Sequence, residues 1–169
     1  MSGFTTYLDL DRTLYRTSIA GVMVWQMISQ YDPSIDTAAE HARQRQFYRH
    51  QADSYAYDLT AHLQSLRLNV ADVYAMLRRS EIADGRLEYD GVADVVAFAA
   101  ARGDVAVLTY GIDDYQRLKA SLCPSLRGIP VITTLQPKGM YLKDTTNALM
   151  VDDKAIGDEL PGGVRFIQA

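Results

Sequence analysis

Five short runs of apolar residues most constrain the fold that this sequence can adopt. The first four runs do not alternate between apolar and polar residues, which is typical of parallel strands that are covered on both faces. The runs span residues 4–8, 105–108, 130–133, 148–151 and 164–167. Segments between the later runs can hold a helix or a tight crossover. The sequence therefore predicts an α/β fold with a doubly wound, three-layer arrangement around a parallel, Rossmann-like sheet.

Residues 15–90 differ from the rest of the chain because none of their runs predicts a strand. Helical periodicity covers residues 19–31, 34–66 (which allows one interruption) and 69–80, and Pro33 separates the first two segments. Later helices are predicted over 88–103, where Gly103 stands at the expected C-terminal position, over 113–122, and as a short turn over 154–160. We therefore predict an all-helical cap of residues 15–90 inserted into an α/β core of residues 1–14 and 91–169.

The composition argues against several classes of function. The net charge is −4, so neither nucleic acid nor an anionic membrane surface is an expected partner. No apolar run approaches the roughly 20 residues of a membrane span, and the first residues lack the pattern of a secretion signal. The single cysteine, Cys123, has no Cys or His companion at metal-binding spacing. We expect a soluble, cytoplasmic protein, either a monomer or a homodimer, whose partner is a small molecule.

Polar side chains follow each of the first four predicted strands, at the edge where open α/β sheets bind ligands. They are Asp9, Asp11 and Thr13, then Thr109, Tyr110 and Gly111, then Lys138, and finally Asp152 and Asp153. Four carboxylates at one edge repel each other, and Mg²⁺ relieves such repulsion where phosphate is also bound. Lys138 and Thr109 supply donors for an anion, which a phosphoryl group would satisfy. Carboxyl groups can serve as nucleophile and as proton carrier in its transfer.

Four motifs on these strand ends resemble those of the haloacid dehalogenase superfamily. "DLDRTL" resembles its DxDxT signature, and "VAVLTYG" resembles its second motif, an apolar strand that ends in Thr or Ser. "PKGMYL" matches the third motif and "ALMVDD" the acidic fourth. The motifs occur in the family's order, and residues 15–90 correspond to the helical cap that many members insert after the first motif. The resemblance implies a Mg²⁺-dependent phosphatase that forms an aspartyl-phosphate on a small phosphorylated metabolite.

The same resemblance implies the roles of the acidic residues. Asp9 would be the nucleophile, and Asp11 would be the general acid and base. Mg²⁺ would be held by Asp9, the backbone carbonyl of Asp11, and Asp152. Asp153 would be a further ligand or would accept a hydrogen bond behind the ligands.

The remaining motif residues would bind and neutralise the phosphoryl group. Thr109 would bind its oxygens, together with backbone N–H groups around Tyr110 and Gly111. Lys138 would neutralise Asp9 and the transferring group, and Thr13 would hold the shape of the loop. The sequence leaves open whether Lys138 or Lys143 points inward, although Lys138 comes sooner after the third strand and precedes a glycine.

One motif position and the residues of the cap are less informative. Arg12 stands where the family most often has Gly, and its role is open. The histidines His41, His50 and His62 are spaced too irregularly to predict a metal site. The aromatic residues of this region are expected to pack within helices; they are Phe47, Tyr48, Tyr55 and Tyr57.

Other functions are compatible with the same residue types. A phosphotransferase or mutase would pass the phosphoryl group from Asp9 to another hydroxyl instead of to water. A phosphate-accepting signalling module also combines acids, a hydroxyl and a lysine around Mg²⁺. Its phosphorylated Asp lies on a middle strand, however, whereas the acids here follow the first and fourth strands of the sequence. A family member that only binds its ligand is the third possibility.

Overall fold

A five-stranded parallel sheet forms the centre of the protein in a computed structural model that describes residues 3–51 and 54–169. Its strands are β1 (Thr5–Leu8), β4 (Asp104–Tyr110), β5 (Val131–Thr134), β6 (Ala148–Asp152) and β7 (Val164–Gln168). The spatial order is β5-β4-β1-β6-β7, and every neighbouring pair is parallel. All five predicted strands are confirmed within two residues at either end. Because β1 lies between β4 and β6, the residues that follow these three strands meet at one edge.

Helices cover both faces of the sheet, which confirms the three-layer prediction. They are α1 (Thr17–Tyr31), α2 (Thr37–Arg43), α3 (Leu59–Ser65), α4 (Val70–Arg79), α5 (Val92–Ala100), α6 (Asp113–Ser121) and α7 (Lys138–Tyr141). Alternate residues of β4 enter two separate hydrophobic clusters. Val107 packs in the larger cluster with α5, α6 and the inserted helices, whereas Leu108 packs in the smaller one with Leu142. No helix in the described part of the chain is both long and apolar enough to cross a membrane.

Two predicted helices are shorter than the sequence indicated. The helix expected over 88–103 begins only at Val92, because the preceding residues bind the loop after β1. The Glu88 carbonyl accepts a hydrogen bond from Arg16 Nε at 2.6 Å, and Tyr89 N–H donates to the Leu14 carbonyl at 3.1 Å. The turn expected over 154–160 is a single 3₁₀ turn at Gly157–Glu159.

The prediction that the cap is all-helical is wrong at its centre, where the chain forms an antiparallel hairpin. The strands are β2 (Tyr48–Gln51) and β3 (Ser54–Tyr57). Tyr48 lies opposite Tyr57, and its ring centroid is 5.8 Å from that of Tyr57 and 5.0 Å from that of Tyr55. Aromatic pairs of this kind stabilise adjacent strands, and the two-residue spacing of Tyr55 and Tyr57 is the period of a strand.

A buried histidine joins the hairpin to two helices of the cap. His62 is fully buried, and its Nε2 lies 2.9 Å from Glu40 Oε2 while its Nδ1 lies 2.7 Å from the Tyr57 hydroxyl. The ring of Phe47 stacks on the imidazole with centroids 4.0 Å apart. Because the Glu40 carboxylate needs a donor, Nε2 carries the proton and Nδ1 accepts from Tyr57. The neutral imidazole therefore satisfies both neighbours, and His62 is a structural residue of the cap.

We expect this histidine to make the stability of the protein fall in acid. Burial lowers the pKa of His62, although Glu40 opposes the shift. Since the folded pKa lies below the unfolded value of about 6.5, the folded state favours neutral His62, and this stability is lost as pH falls below that value. Thermal denaturation between pH 8 and pH 5 checks the expectation. His62→Gln should reduce the pH dependence, whereas His41→Gln, at an exposed position, should leave it unchanged.

Candidate active site

Two buried carboxylates share one ammonium group at the carboxyl edge of the sheet. Lys138 Nζ lies 2.5 Å from Asp9 Oδ1 and 2.6 Å from Asp152 Oδ2. Asp9 is 4% exposed and Asp152 is 1% exposed. The sheet brings the two acids together because β1 and β6 are parallel neighbours, and Asp9 N–H continues their ladder to the Val151 carbonyl at 2.8 Å. The resulting group is a compact anionic centre that a single lysine bridges.

Asp153 completes a set of three carboxylates that fits a hard divalent cation. One oxygen from each of Asp9, Asp152 and Asp153 lies within 4.8 Å of the others. Burial raises the pKa of Asp9 to about 6 against the pull of Lys138, and Asp152 adds to the rise. Burial and Asp152 likewise raise the pKa of Asp153. Three carboxylates with one shared ammonium leave excess negative charge, and oxygen ligands of this type suit Mg²⁺.

Lys138 rather than Lys143 reaches this centre. Lys143 is exposed and lies beside a surface hollow with Gly139 and Met140. The short helix α7, which begins at Lys138, packs so closely on the following segment that a Cβ at Gly139 would lie 2.1 Å from the Glu159 carbonyl oxygen. Only glycine permits this close approach of α7 to the turn at Gly157–Glu159.

Asp11 stands apart from the three-carboxylate set and pairs with a second lysine. Lys119 Nζ lies 2.7 Å from Asp11 Oδ1 and 2.5 Å from Oδ2. Thr17 Oγ1 donates to Oδ1 at 2.7 Å, and Gln116 Nε2 donates to Oδ2 at 3.4 Å. Burial would raise the pKa of Asp11, but Lys119 and these hydrogen bonds bring it below its ordinary value. The sequence led us to expect four carboxylates in one group, whereas the structure gathers three and directs the fourth towards α6.

The hydroxyl and glycine of the second motif contact a glutamine of α6. Thr109 is fully buried, and its Oγ1 donates to Gln116 Oε1 at 3.3 Å. Gln116 Nε2 also donates to the Tyr110 carbonyl at 2.9 Å. The Gln116 side chain lies so close to the backbone that a Cβ at Gly111 would be 2.2 Å from Gln116 Nε2. The Gly111 N–H is already bonded to the Thr134 carbonyl at 3.0 Å. The phosphate-binding role of this segment stays a prediction.

Arg12, the least typical residue of the first motif, lies in the loop between Asp11 and Thr13. Arg12 has a positive φ of 66°, in the left-handed region where glycine is least strained, so arginine is strained at this position. Its side chain is exposed, and its charge opposes the rise in the Asp153 pKa. Thr13 Oγ1 donates to Asp9 Oδ2 at 3.2 Å. Thr13 therefore contacts the carboxylate itself as well as belonging to the loop.

Sequence reasoning missed the side chains that surround Asp11. Gln116 and Lys119 lie three residues apart on α6, so they share one face of the helix, and both are buried. The spacing of these two polar residues, shortly after the second motif, could have indicated that α6 directs a polar face inward. Thr17, at the first position of α1, gave no comparable signal.

Comparison with solved structures supports the assignment of the fold. No family model matches the chain, and no curated protein matches it. The solved structure of a haloacid dehalogenase-like hydrolase from Burkholderia xenovorans LB400 superposes with a TM-score of 0.67 at 18% identity, over 99% of this chain and 82% of the other. L-2-haloacid dehalogenase from Xanthobacter autotrophicus gives 0.51 at 14% identity, over 99% and 78%. A haloacid dehalogenase-superfamily hydrolase of subfamily IA from Geobacter sulfurreducens PCA gives 0.50 at 14% identity, over 99% and 89%.

The sheet order and the comparisons with solved structures together identify the fold. In this protein Asp9 follows the central strand β1, Asp152 ends the neighbouring strand β6, and Lys138 lies between the two carboxylates. The chain has the haloacid dehalogenase-like fold, as its four sequence motifs predicted.

Proposed function

We propose that the protein is a Mg²⁺-dependent phosphohydrolase that acts on a small phosphorylated metabolite through an aspartyl-phosphate at Asp9. The observation that carries this proposal is the buried contact of Lys138 with both Asp9 and Asp152 at the end of the central strand. A carboxylate held beside a fixed cation is suited to attack an anionic phosphoryl group, since the ammonium offsets the charge that accumulates during transfer. The neighbouring Asp153 supplies the further carboxylate that a metal site needs.

The proposed reaction has two steps, in which Asp9 is the nucleophile and Asp11 carries the proton. First, a carboxylate oxygen of Asp9 attacks phosphorus, and the bond from phosphorus to the leaving-group oxygen breaks. Asp11 supplies a proton where the leaving oxygen needs one. Second, water attacks the phosphorus of the aspartyl-phosphate and gives its proton to Asp11, while the bond from phosphorus to the Asp9 oxygen breaks. The products are inorganic phosphate and the restored Asp9 carboxylate.

The residues that would hold Mg²⁺ are the carboxylates of Asp9, Asp152 and Asp153 and the backbone carbonyl of Asp11. Bound there, the ion would offset the charge of the carboxylates and polarise the phosphoryl oxygens. Lys138 would remain the cation nearest to Asp9, and Thr109 and the backbone around Tyr110 and Gly111 would orient the transferred group.

We expect phosphate release from a panel of phosphate esters and acetyl phosphate in the presence of Mg²⁺. EDTA should lower the rate by about 100-fold or more, and excess Mg²⁺ should restore it, because the carboxylates alone repel an anionic substrate. Asp152→Asn should raise the Mg²⁺ concentration for half-maximal rate at least about tenfold. Turnover that ignores EDTA would contradict the metal requirement.

The same assays separate the proposal from two related activities. Chloride release from 2-chloro acids without phosphate release would make the protein a dehalogenase, the activity named for the Xanthobacter protein that shares the fold. Hydrolysis in ¹⁸O-labelled water distinguishes a phosphatase from a phosphotransferase or mutase. A phosphatase places the label in inorganic phosphate, whereas a transferase delivers the phosphoryl group to another hydroxyl without incorporating it.

A further inference from the structure

Helix α6 holds the Asp11 carboxylate in one direction. Lys119 contacts both of its oxygens, Gln116 donates to one of them, and Thr17 from α1 donates to the other. Donors from two helices thus restrict rotation of a side chain that is 29% exposed. An acid that only terminated a strand could rotate in solvent, whereas four hydrogen bonds select one orientation.

Among the described residues, the ammonium of Lys119 forms an ion pair with the Asp11 carboxylate alone. Its side chain is 4% exposed, and its one carboxylate partner is Asp11. The rings of Tyr15 and Tyr115 flank it, with centroids 5.7 Å and 5.0 Å from Nζ. Burial of an ammonium is costly unless it is paired, so the fold keeps Lys119 at Asp11 rather than in solvent.

We propose that Lys119 is a positioning residue that fixes the Asp11 carboxylate, the group that takes the proton of the water that hydrolyses the aspartyl-phosphate. The inference rests on the proposed function and adds a residue that none of the four motifs contains. In this step the water oxygen bonds to phosphorus, the bond from phosphorus to the Asp9 oxygen breaks, and Asp11 receives the water proton. Lys119 exchanges no atom with the substrate; it fixes the carboxylate that does.

Acetyl phosphate separates this step from the one before it. Acetate leaves without needing a proton, so formation of the aspartyl-phosphate from acetyl phosphate does not depend on Asp11, whereas its hydrolysis does. The ratio kcat/KM reports the steps up to the first irreversible one, and kcat includes the later hydrolysis. A positioning role for Lys119 is therefore visible as a change in kcat that kcat/KM does not share.

The central variant is Lys119→Met, which keeps a long side chain and removes the charge. We expect kcat for acetyl phosphate to fall about 30-fold, kcat/KM to stay within about threefold of the unmodified protein, and phosphorylated protein to accumulate in a quenched reaction measured by mass spectrometry. Lys119→Arg should recover most of kcat because a guanidinium can also donate to both oxygens. Lys119→Gln, which keeps one donor, gives an intermediate expectation and serves as the second variant if Lys119→Met does not fold.

The controls distinguish action through Asp11 from general damage. In an Asp11→Asn background, Lys119→Met should cause no further loss of kcat, because the residue it acts through is already changed. Lys143→Met, at an exposed lysine, should leave both parameters unchanged. Equal losses in kcat and kcat/KM, or additive losses in the double variant, would overturn the positioning role. Absence of turnover of acetyl phosphate and of all esters by the unmodified protein would instead overturn the proposed function, and this inference with it.

Discussion

Asp9→Asn is expected to lower kcat/KM for phosphate release by at least about 10⁴-fold, which is the largest effect of any single substitution in this site. The amide has nearly the shape of the carboxylate but cannot form the aspartyl-phosphate. Phosphate release with excess Mg²⁺ measures the loss, and mass spectrometry of a quenched reaction should show phosphorylated protein only where Asp9 is intact. Turnover by the variant above about 1% of the original rate would reject Asp9 as the nucleophile.

The same substitution is not expected to destabilise the fold. Burial raises the pKa of Asp9 to about 6, so its folded pKa lies above the unfolded value of about 3.9. Ionisation therefore disfavours folding as pH rises through this range, and at pH 8 without metal the charged carboxylate is a cost that asparagine does not carry. Thermal denaturation in EDTA at pH 8 should give a Tm for Asp9→Asn equal to or above that of the unmodified protein. A preserved Tm shows that lost activity does not come from unfolding.

Lys138→Met is expected to lower both activity and stability. The variant leaves Asp9 and Asp152 buried, and the described residues provide no other ion pair to either carboxylate. Removing one partner of a buried ion pair typically costs about 3 to 5 kcal/mol, which thermal or urea denaturation in EDTA can measure. Activity should fall by about 10³-fold, since the ammonium beside the attacking carboxylate is lost.

A matched lysine provides the control for this prediction. Lys143 lies five residues away and is exposed, so Lys143→Met should change neither the free energy of unfolding nor the rate measurably. Added Mg²⁺ should restore part of the stability of Lys138→Met, because a cation that binds only the folded protein stabilises it by mass action. Loss of activity in Lys143→Met with retention in Lys138→Met would reverse the assignment of the two lysines.

The arrangement of the sheet could be predicted from sequence because its information is local. The strands are short, mainly apolar runs that do not alternate regularly with polar residues, which is typical of parallel strands in the middle of an α/β fold. Parallel strands carry their carboxyl ends to the same edge, so the proximity of Asp9 and Asp152 followed from the predicted topology. The structure places them on neighbouring strands with Lys138 between them. The choice between Lys138 and Lys143 did not follow, because it depends on how the short helix α7 packs against segments that are distant in the sequence.

The hairpin in the cap shows where local pattern reading fails. Residues 34–66 contain helical spacings of apolar and polar residues, and two parts of this predicted helical segment, α2 and α3, are helices. Between them β2 pairs with β3, and the outermost partners of this ladder, Tyr48 and Tyr57, are nine positions apart. Strand propensity depends on cross-strand neighbours, so a four-residue strand carries too few residues to outweigh a helical pattern on either side.

The sequence by itself determined the class of fold and the acids after β1 and β6, because hydrophobic pattern and chain order specify which strand ends share an edge. Only the tertiary structure decided how the acids divide. Asp9, Asp152 and Asp153 lie together, with Lys138 between the first two, whereas Asp11 turns to Lys119 on α6, 108 residues away in the chain. The physical reason is that a buried charge is stable only beside a partner of opposite charge, and which lysine reaches which carboxylate depends on how the helices pack.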